Sequence, residues 1–189
     1  MTTPHTTKRH IWLVGFSGSG KSTVGPKLAR ALNMAFADTD AMAERMAGIT
    51  VEQIFETRGE KLFRLLERQA IAQSAIMTKP TVIALGGGAY HSAFHRAVIR
   101  KHGFVVYLSA NVSTIYRRLK AQAHLDRPLL RIPARSTISR STAQKHRIAE
   151  LLAIREKNYR RADIVVSTNA KSPAQVVKSI ISQMKALHG

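Results

Sequence analysis

Nine consecutive residues carry the clearest chemistry in this chain. Gly15-Phe16-Ser17-Gly18-Ser19-Gly20-Lys21-Ser22-Thr23 fits the pattern G-x-x-x-x-G-K-[ST] in full. Glycines let a loop turn its N–H groups toward phosphate oxygens. A helix that begins at the end of the loop adds the positive end of its dipole. In such a loop Lys21 reaches the β- and γ-phosphates, and the Ser22 hydroxyl is a hard oxygen ligand for Mg2+. Gly18, Ser19, Gly20, Lys21, Ser22 and Thr23 are therefore expected to hold the phosphates of a nucleotide. The loop alone does not say what receives a phosphoryl group.

A loop of this kind works only between a strand and a helix, and the sequence supplies both. Residues 10–15 are a short apolar run with a glycine stop, and residues 21–32 read as a helix. Further strands are expected at 34–37, 81–85, 104–108 and 164–166. Helices are expected at 41–47, 51–57, 59–77, 92–101, 112–120, 142–160 and 174–187. Thr50-Val51-Glu52-Gln53 opens one of them with a capping-box pattern. Alternating strands and helices predict a parallel sheet with helices on both faces. Ligands bind such sheets at the carboxyl ends of the strands, and the strand at 81–85 ends there in Gly86-Gly87-Gly88.

Composition narrows the class. The chain has 189 residues, 44% hydrophobic and 22% charged, which fits a folded domain. The absence of cysteine excludes a disulfide framework, a zinc–cysteine site and a cysteine nucleophile. No apolar run approaches the ~18 residues of a spanning helix. The 30 Lys and Arg against 11 Asp and Glu give a net charge of +19, which suits anionic partners, whether small molecules, nucleic acid or membrane. Seven of the 11 acids fall between Asp38 and Glu67, on an otherwise basic background. Residues 1–9 are expected to be a disordered N-terminal segment and 10–189 a single domain. Residues 121–141 lack periodicity and carry Arg127, Pro128, Arg131, Pro133, Arg135 and Arg140. An insert of that length in a compact domain reads as a lid.

Ordered along the chain are the phosphate loop, Asp38-Thr39-Asp40, Gly59-Glu60, Phe63-Arg64-x-x-Glu67, Leu85-Gly86-Gly87-Gly88-Ala89, Arg127-Pro128-Leu129-Leu130 and Arg155-x-x-x-Tyr159-x-x-x-Asp163. From about residue 11 to residue 187 this set resembles the shikimate kinase family. The resemblance implies an α/β fold of three layers, α/β/α, with a five-stranded parallel sheet in the order 2-3-1-4-5 and a mobile lid. It implies transfer of the ATP γ-phosphoryl group to the 3-hydroxyl of shikimate, with ATP and Mg2+, on the way to chorismate and the aromatic amino acids. A cytoplasmic, monomeric enzyme is expected, with no specific nucleic acid and no membrane insertion.

The resemblance also assigns residues. Shikimate is a ring with one carboxylate and three hydroxyls. Arg64 and Arg155 match the arginines that bind the carboxylate, for which a planar guanidinium fork is suited. Arg64 also fits an i,i+3 pair with Glu67, and Arg155 an ordinary solvated helix charge. Asp40 matches the acid that contacts the substrate hydroxyls and can orient the reacting one or take its proton. Asp38 matches the acid that helps to hold Mg2+, and either aspartate also fits a helix N-cap. Gly86, Gly87 and Gly88 are expected to bring backbone against the substrate, Gly87 foremost, or to form a tight turn. Phe55 and Phe63 match apolar walls of the substrate pocket and equally fit a core. Arg127 matches a lid arginine that reaches the transferring phosphoryl group. Arg118 and Pro173 match the pair that sandwiches adenine, with Arg117 an alternative to Arg118.

The chain departs from the family pattern in a longer lid and in Glu156-Lys157-Asn158 after Arg155. Two other readings stand beside the leading one. One is another small phosphate-loop metabolite kinase of the gluconate type. The other is a non-catalytic basic binding module built on the same fold.

Overall fold

The apolar runs form five strands, β1 (His10–Val14), β2 (Ala35–Asp38), β3 (Thr81–Ala84), β4 (Gly103–Ser109) and β5 (Ile164–Ser167). The structure, a computed structural model, describes residues 9–121 and 139–188. Eight helices among these residues are α1 (Lys21–Ala31), α2 (Thr39–Ala47), α3 (Val51–Thr57), α4 (Gly59–Ala75), α5 (Ala93–His102), α6 (Val112–Ala121), α7 (Arg140–Tyr159) and α8 (Pro173–His188). All strand pairings are parallel, and the order is β2-β3-β1-β4-β5, as expected.

Side chains alternate across the sheet and divide the core in two. Trp12, Val14, Ile83, Leu85, Val105 and Tyr107 join a cluster with Ile71 of α4, Ile99 of α5, Ile115 of α6 and Ile148 and Leu152 of α7. Ile11, Leu13, Val82, Val106, Leu108 and Val166 join the other, with Leu28 of α1 and Val177 and Ile180 of α8. A third, smaller cluster of Ala43, Ile54, Phe63 and Leu66 packs α2 and α3 on α4. The capping box at Thr50 and Gln53 forms as the sequence predicts. α4 ends at Ala75, two residues before the expected stop, because Ile76 leaves helical geometry and Met77 N–H bonds back to Ser74 O. Among the described residues no helix is long and apolar enough to cross a membrane.

Parallel strands put the ends of β1, β2 and β3 at one edge of the sheet. The phosphate loop, the Asp38–Asp40 segment and the three glycines meet there for that reason.

At the opposite edge, β4 opens on Gly103, whose extended backbone any residue could adopt. Space is the constraint. A Cβ there would lie 2.6 Å from His10 O and overlap the Trp12 indole N–H. Gly103→Ala is expected to destabilise the fold by about 1–3 kcal/mol and to lower the thermal midpoint by roughly 3–10 °C. Scanning calorimetry measures this, and an unchanged midpoint would show that the indole yields freely.

Candidate active site

The phosphate loop leaves β1 and enters α1 through Gly20. This residue is the N-cap of α1 and has φ 105°, a left-handed value that glycine adopts without a Cβ clash. The first turn of α1 contains no acid of its own to oppose the positive end of its dipole. Lys21 is buried, and its ammonium donates to Gly15 O at 2.8 Å and to Phe16 O at 3.0 Å. The loop thus fixes the long side chain before any ligand binds.

Next to it, Ser22 Oγ donates to Asp38 Oδ2 at 2.8 Å. The other oxygen, Oδ1, accepts from Asp40 N–H at 3.0 Å and makes Asp38 the N-cap of α2. The N-cap reading of Asp38 holds, and its second oxygen is left to meet the phosphate-loop hydroxyl. Asp40 lies in the first turn of α2. A cavity of about 510 Å3 opens here, lined by phosphate-loop residues together with Asp38, Asp40, Gly87, Arg118 and Pro173.

The three glycines after β3 each meet a different partner. Gly86 N–H donates to Thr39 Oγ1 at 2.9 Å, and a Cβ on Gly86 would overlap the Asp40 carboxylate. A Cβ on Gly87 would stand 3.2 Å from Ser17 N, and Gly87 O accepts from Arg155 Nη1 at 3.3 Å and from the Tyr159 hydroxyl. A Cβ on Gly88 would stand 3.4 Å from Arg64 Nη1 and 3.9 Å from Arg155 Nη2. The two guanidinium groups, from α4 and α7, therefore converge on the backbone at Gly88.

Arg64 is held by two carboxylates. Nε and Nη2 donate to Glu60 Oε1 at 3.1 and 2.8 Å, and Nη1 donates to Glu67 Oε2 at 3.0 Å. Burial works against the guanidinium charge. The charge of Glu67, with the hydrogen bonds that Arg64 donates to Glu60 and Glu67, outweighs it and raises the Arg64 pKa. The i,i+3 pair and the place beside Gly88 are thus both real. Phe63 is buried in the third core cluster, with the Arg64 guanidinium carbon 5.3 Å from its ring centroid. Phe55 is half-buried against it, ring centroids 4.8 Å apart. Neither ring lines the 510 Å3 cavity.

Of the two candidate adenine arginines, Arg118 lines the cavity with Pro173, and Arg117 is exposed and does not. Arg118 Nη1 donates to Gly18 O and Ser19 O, each at 3.2 Å, and to Thr168 Oγ1 at 3.0 Å. Its Nη2 donates to Thr168 O at 2.8 Å. Burial, then the neighbouring Arg117 charge, lowers its pKa. Arg127 and most of the expected lid lie outside the described residues.

The family model for shikimate kinase matches residues 17–185. The chain belongs to the shikimate kinase family. A shikimate kinase from Chlorobium chlorochromatii is 42% identical over 175 residues, covering 93% of this chain and 90% of the relative. The solved structure of a shikimate kinase from Acinetobacter baumannii in complex with shikimate is similar with a TM-score of 0.84 and 32% identity, over 96% of this chain and 95% of that one. A gluconokinase structure from Sinorhizobium meliloti, at 19% identity and TM-score 0.58, covers 95% of this chain and 93% of that one and shares the fold alone.

In this shikimate kinase family member, sequence reasoning overlooked Thr168 and Lys171. Thr168 braces Arg118 from the end of β5, and Lys171 lines the cavity before Pro173. Thr168 left no signal, since its partner is distant in sequence. Lys171 had one, a cation two residues before Pro173, which is itself a candidate for the adenine. The i,i+3 spacing of Arg64 and Glu67 is the sequence signal of the support that Glu67 gives Arg64.

Proposed function

We propose that this chain is an ATP-dependent shikimate kinase that transfers the γ-phosphoryl group of ATP to the 3-hydroxyl of shikimate, giving shikimate 3-phosphate and ADP. One observation carries the reading. A phosphate loop with a buried lysine and a backbone ridge flanked by two arginines stand at the same sheet edge, with Asp40 between them.

In this reading the loop N–H groups from Gly18 to Thr23 and the Lys21 ammonium bind the nucleotide phosphates. Arg118 and Pro173 bound the adenine. Arg64 and Arg155 take the shikimate carboxylate, and Gly86, Gly87 and Gly88 admit the ring against bare backbone, with Phe55 and Phe63 behind Arg64. Asp40 accepts the hydrogen bond of the reacting hydroxyl and aligns it. That oxygen bonds to the γ-phosphorus, the bond from this phosphorus to the bridging oxygen breaks, and ADP leaves with the electron pair. Asp40 receives the hydroxyl proton. Arg127 is assigned to the transferring phosphoryl group, where negative charge accumulates.

Among the described residues no group of three or more His, Asp or Glu gathers to hold a metal by protein ligands alone. The Ser22 hydroxyl and the Asp38 carboxylate, adjacent beside the phosphate loop, are hard oxygen donors of the kind that Mg2+ takes together with phosphates and water. They are the residues that would hold it, Asp38 through water. When bound, the ion neutralises charge on the β- and γ-phosphates.

The test is coupled ADP release with a panel of shikimate, gluconate and nucleosides at fixed Mg-ATP. Shikimate-dependent turnover at least about 10²-fold above the other acceptors is expected, since a site with buried polar groups rejects analogues that leave them unpaired. Turnover with gluconate instead would move the chain to the other kinase class. Folded protein with no acceptor-dependent turnover would reject catalysis.

A further inference from the structure

We propose that Phe16 is a positioning residue, whose ring face carries the Arg155 guanidinium and aims it at the acid group of the substrate. The proposal rests on the phosphotransfer reading above. The guanidinium carbon of Arg155 lies 5.4 Å from the centroid of the Phe16 ring, within range of the attraction between a cation and an aromatic quadrupole. Phe16 is fully buried and is the second residue of the phosphate loop. A second support comes from Gly87, whose carbonyl accepts from Arg155 Nη1 and from the Tyr159 hydroxyl. Tyr159 is itself fixed, with its ring 5.1 Å from that of Tyr107 in a stacked pair. Burial pushes its pKa up, so it stays a donor.

The two arginines are supported by opposite means. Glu60 and Glu67 match much of the Arg64 charge before any substrate arrives. Among the described residues no carboxylate pairs with Arg155. A ring face and a carbonyl oxygen hold a cation without cancelling it. Among the described residues Arg155 is then the charge without a carboxylate partner that an incoming carboxylate meets, and Arg64 the pre-set fork that orients it. Because Phe16 belongs to the phosphate loop, a change in its volume also disturbs the nucleotide side. A decisive test must alter the electrons of the ring and leave its size nearly constant.

Phe16 is replaced by phenylalanine bearing one, two or three ring fluorines, which drain the π face stepwise. The shikimate KM is expected to rise with each fluorine, to about five- to tenfold at three. The ATP KM, kcat and the thermal midpoint are expected to stay nearly constant, as a ring acting only as core filler would leave all four unmoved. Phe16→Leu, which stays apolar and discards the π face, is the second variant; its lost volume is expected to lower the thermal midpoint, while the shikimate KM rises about tenfold, well beyond any change in the ATP KM. A shikimate KM indifferent to fluorine overturns the proposal, and so does a parallel rise in both KM values, which would mark a distorted loop. Unmodified protein that neither binds nor phosphorylates shikimate overturns the activity reading and this proposal with it. A flat fluorine series on an active enzyme overturns this proposal alone.

Discussion

Lys21→Met is expected to lower kcat by about 10²–10³, some 3–4 kcal/mol of transition-state stabilisation. The size follows from where the ammonium sits. It is buried, it is pinned by two carbonyls of its own loop, and it stands at the start of a helix whose first turn has no acid. A charge preorganised in this way costs little to reorganise when negative charge moves onto the transferring group. Methionine keeps the length and the apolar stem and removes only the charge and its donors. Circular dichroism should therefore stay native while turnover falls. Steady-state ADP release checks this, and a variant that retained more than a third of the native kcat would remove Lys21 from the chemistry.

Asp40→Asn is expected to cost about 10²–10⁴ in kcat, the range found for a positioned acid or base. Asparagine can still accept a hydrogen bond from the substrate hydroxyl and loses the capacity to take its proton. The shikimate KM is accordingly expected to change by less than about threefold, because uniform binding is largely retained. Gly86 provides an internal check from the other side, since a Cβ there would overlap the same carboxylate. Gly86→Ala should lower kcat with an intact Asp40. A comparable loss in the two variants ties the effect to the position of the carboxylate. A Gly86→Ala enzyme at native kcat would show that the carboxylate has room to move without consequence.

The scarcity of acids gains a structural meaning here. Several of the 11 are engaged in holding other groups: Glu60 and Glu67 hold Arg64, Asp38 caps α2 and meets Ser22, Glu44 accepts from Val51 N–H, and Asp163 accepts from Val105 N–H. With its acids so engaged, the chain presents a basic background to its anionic reactants, which raises their encounter rate.

Much of the site was legible before folding was considered, and the reason is locality. The phosphate loop is nine contiguous residues whose backbone chemistry needs only a strand before it and a helix after it. The capping box at Thr50 and the three glycines after β3 are likewise decided within a few residues. Ambiguity entered wherever one spacing served two purposes. Arg64 and Glu67 at i,i+3 read as a surface pair or as part of a site; the pair forms, but with Glu67 buried rather than at the surface. Arg117 and Arg118 could not be separated by spacing. Adjacent residues on a helix point about 100° apart, so the packing of α6 alone sends one guanidinium into the cavity and the other to solvent.

The amino-acid order by itself determined the strands and helices, the nucleotide-phosphate loop and the chemical types available to a site. Tertiary structure decided which of those types meet: Arg64 and Arg155 together at Gly88, Thr168 behind Arg118, and the Phe16 ring beneath Arg155. The physical reason is range. Backbone conformation answers to neighbours a few residues away, whereas the direction of a side chain toward a distant segment is set by how whole helices pack on the sheet.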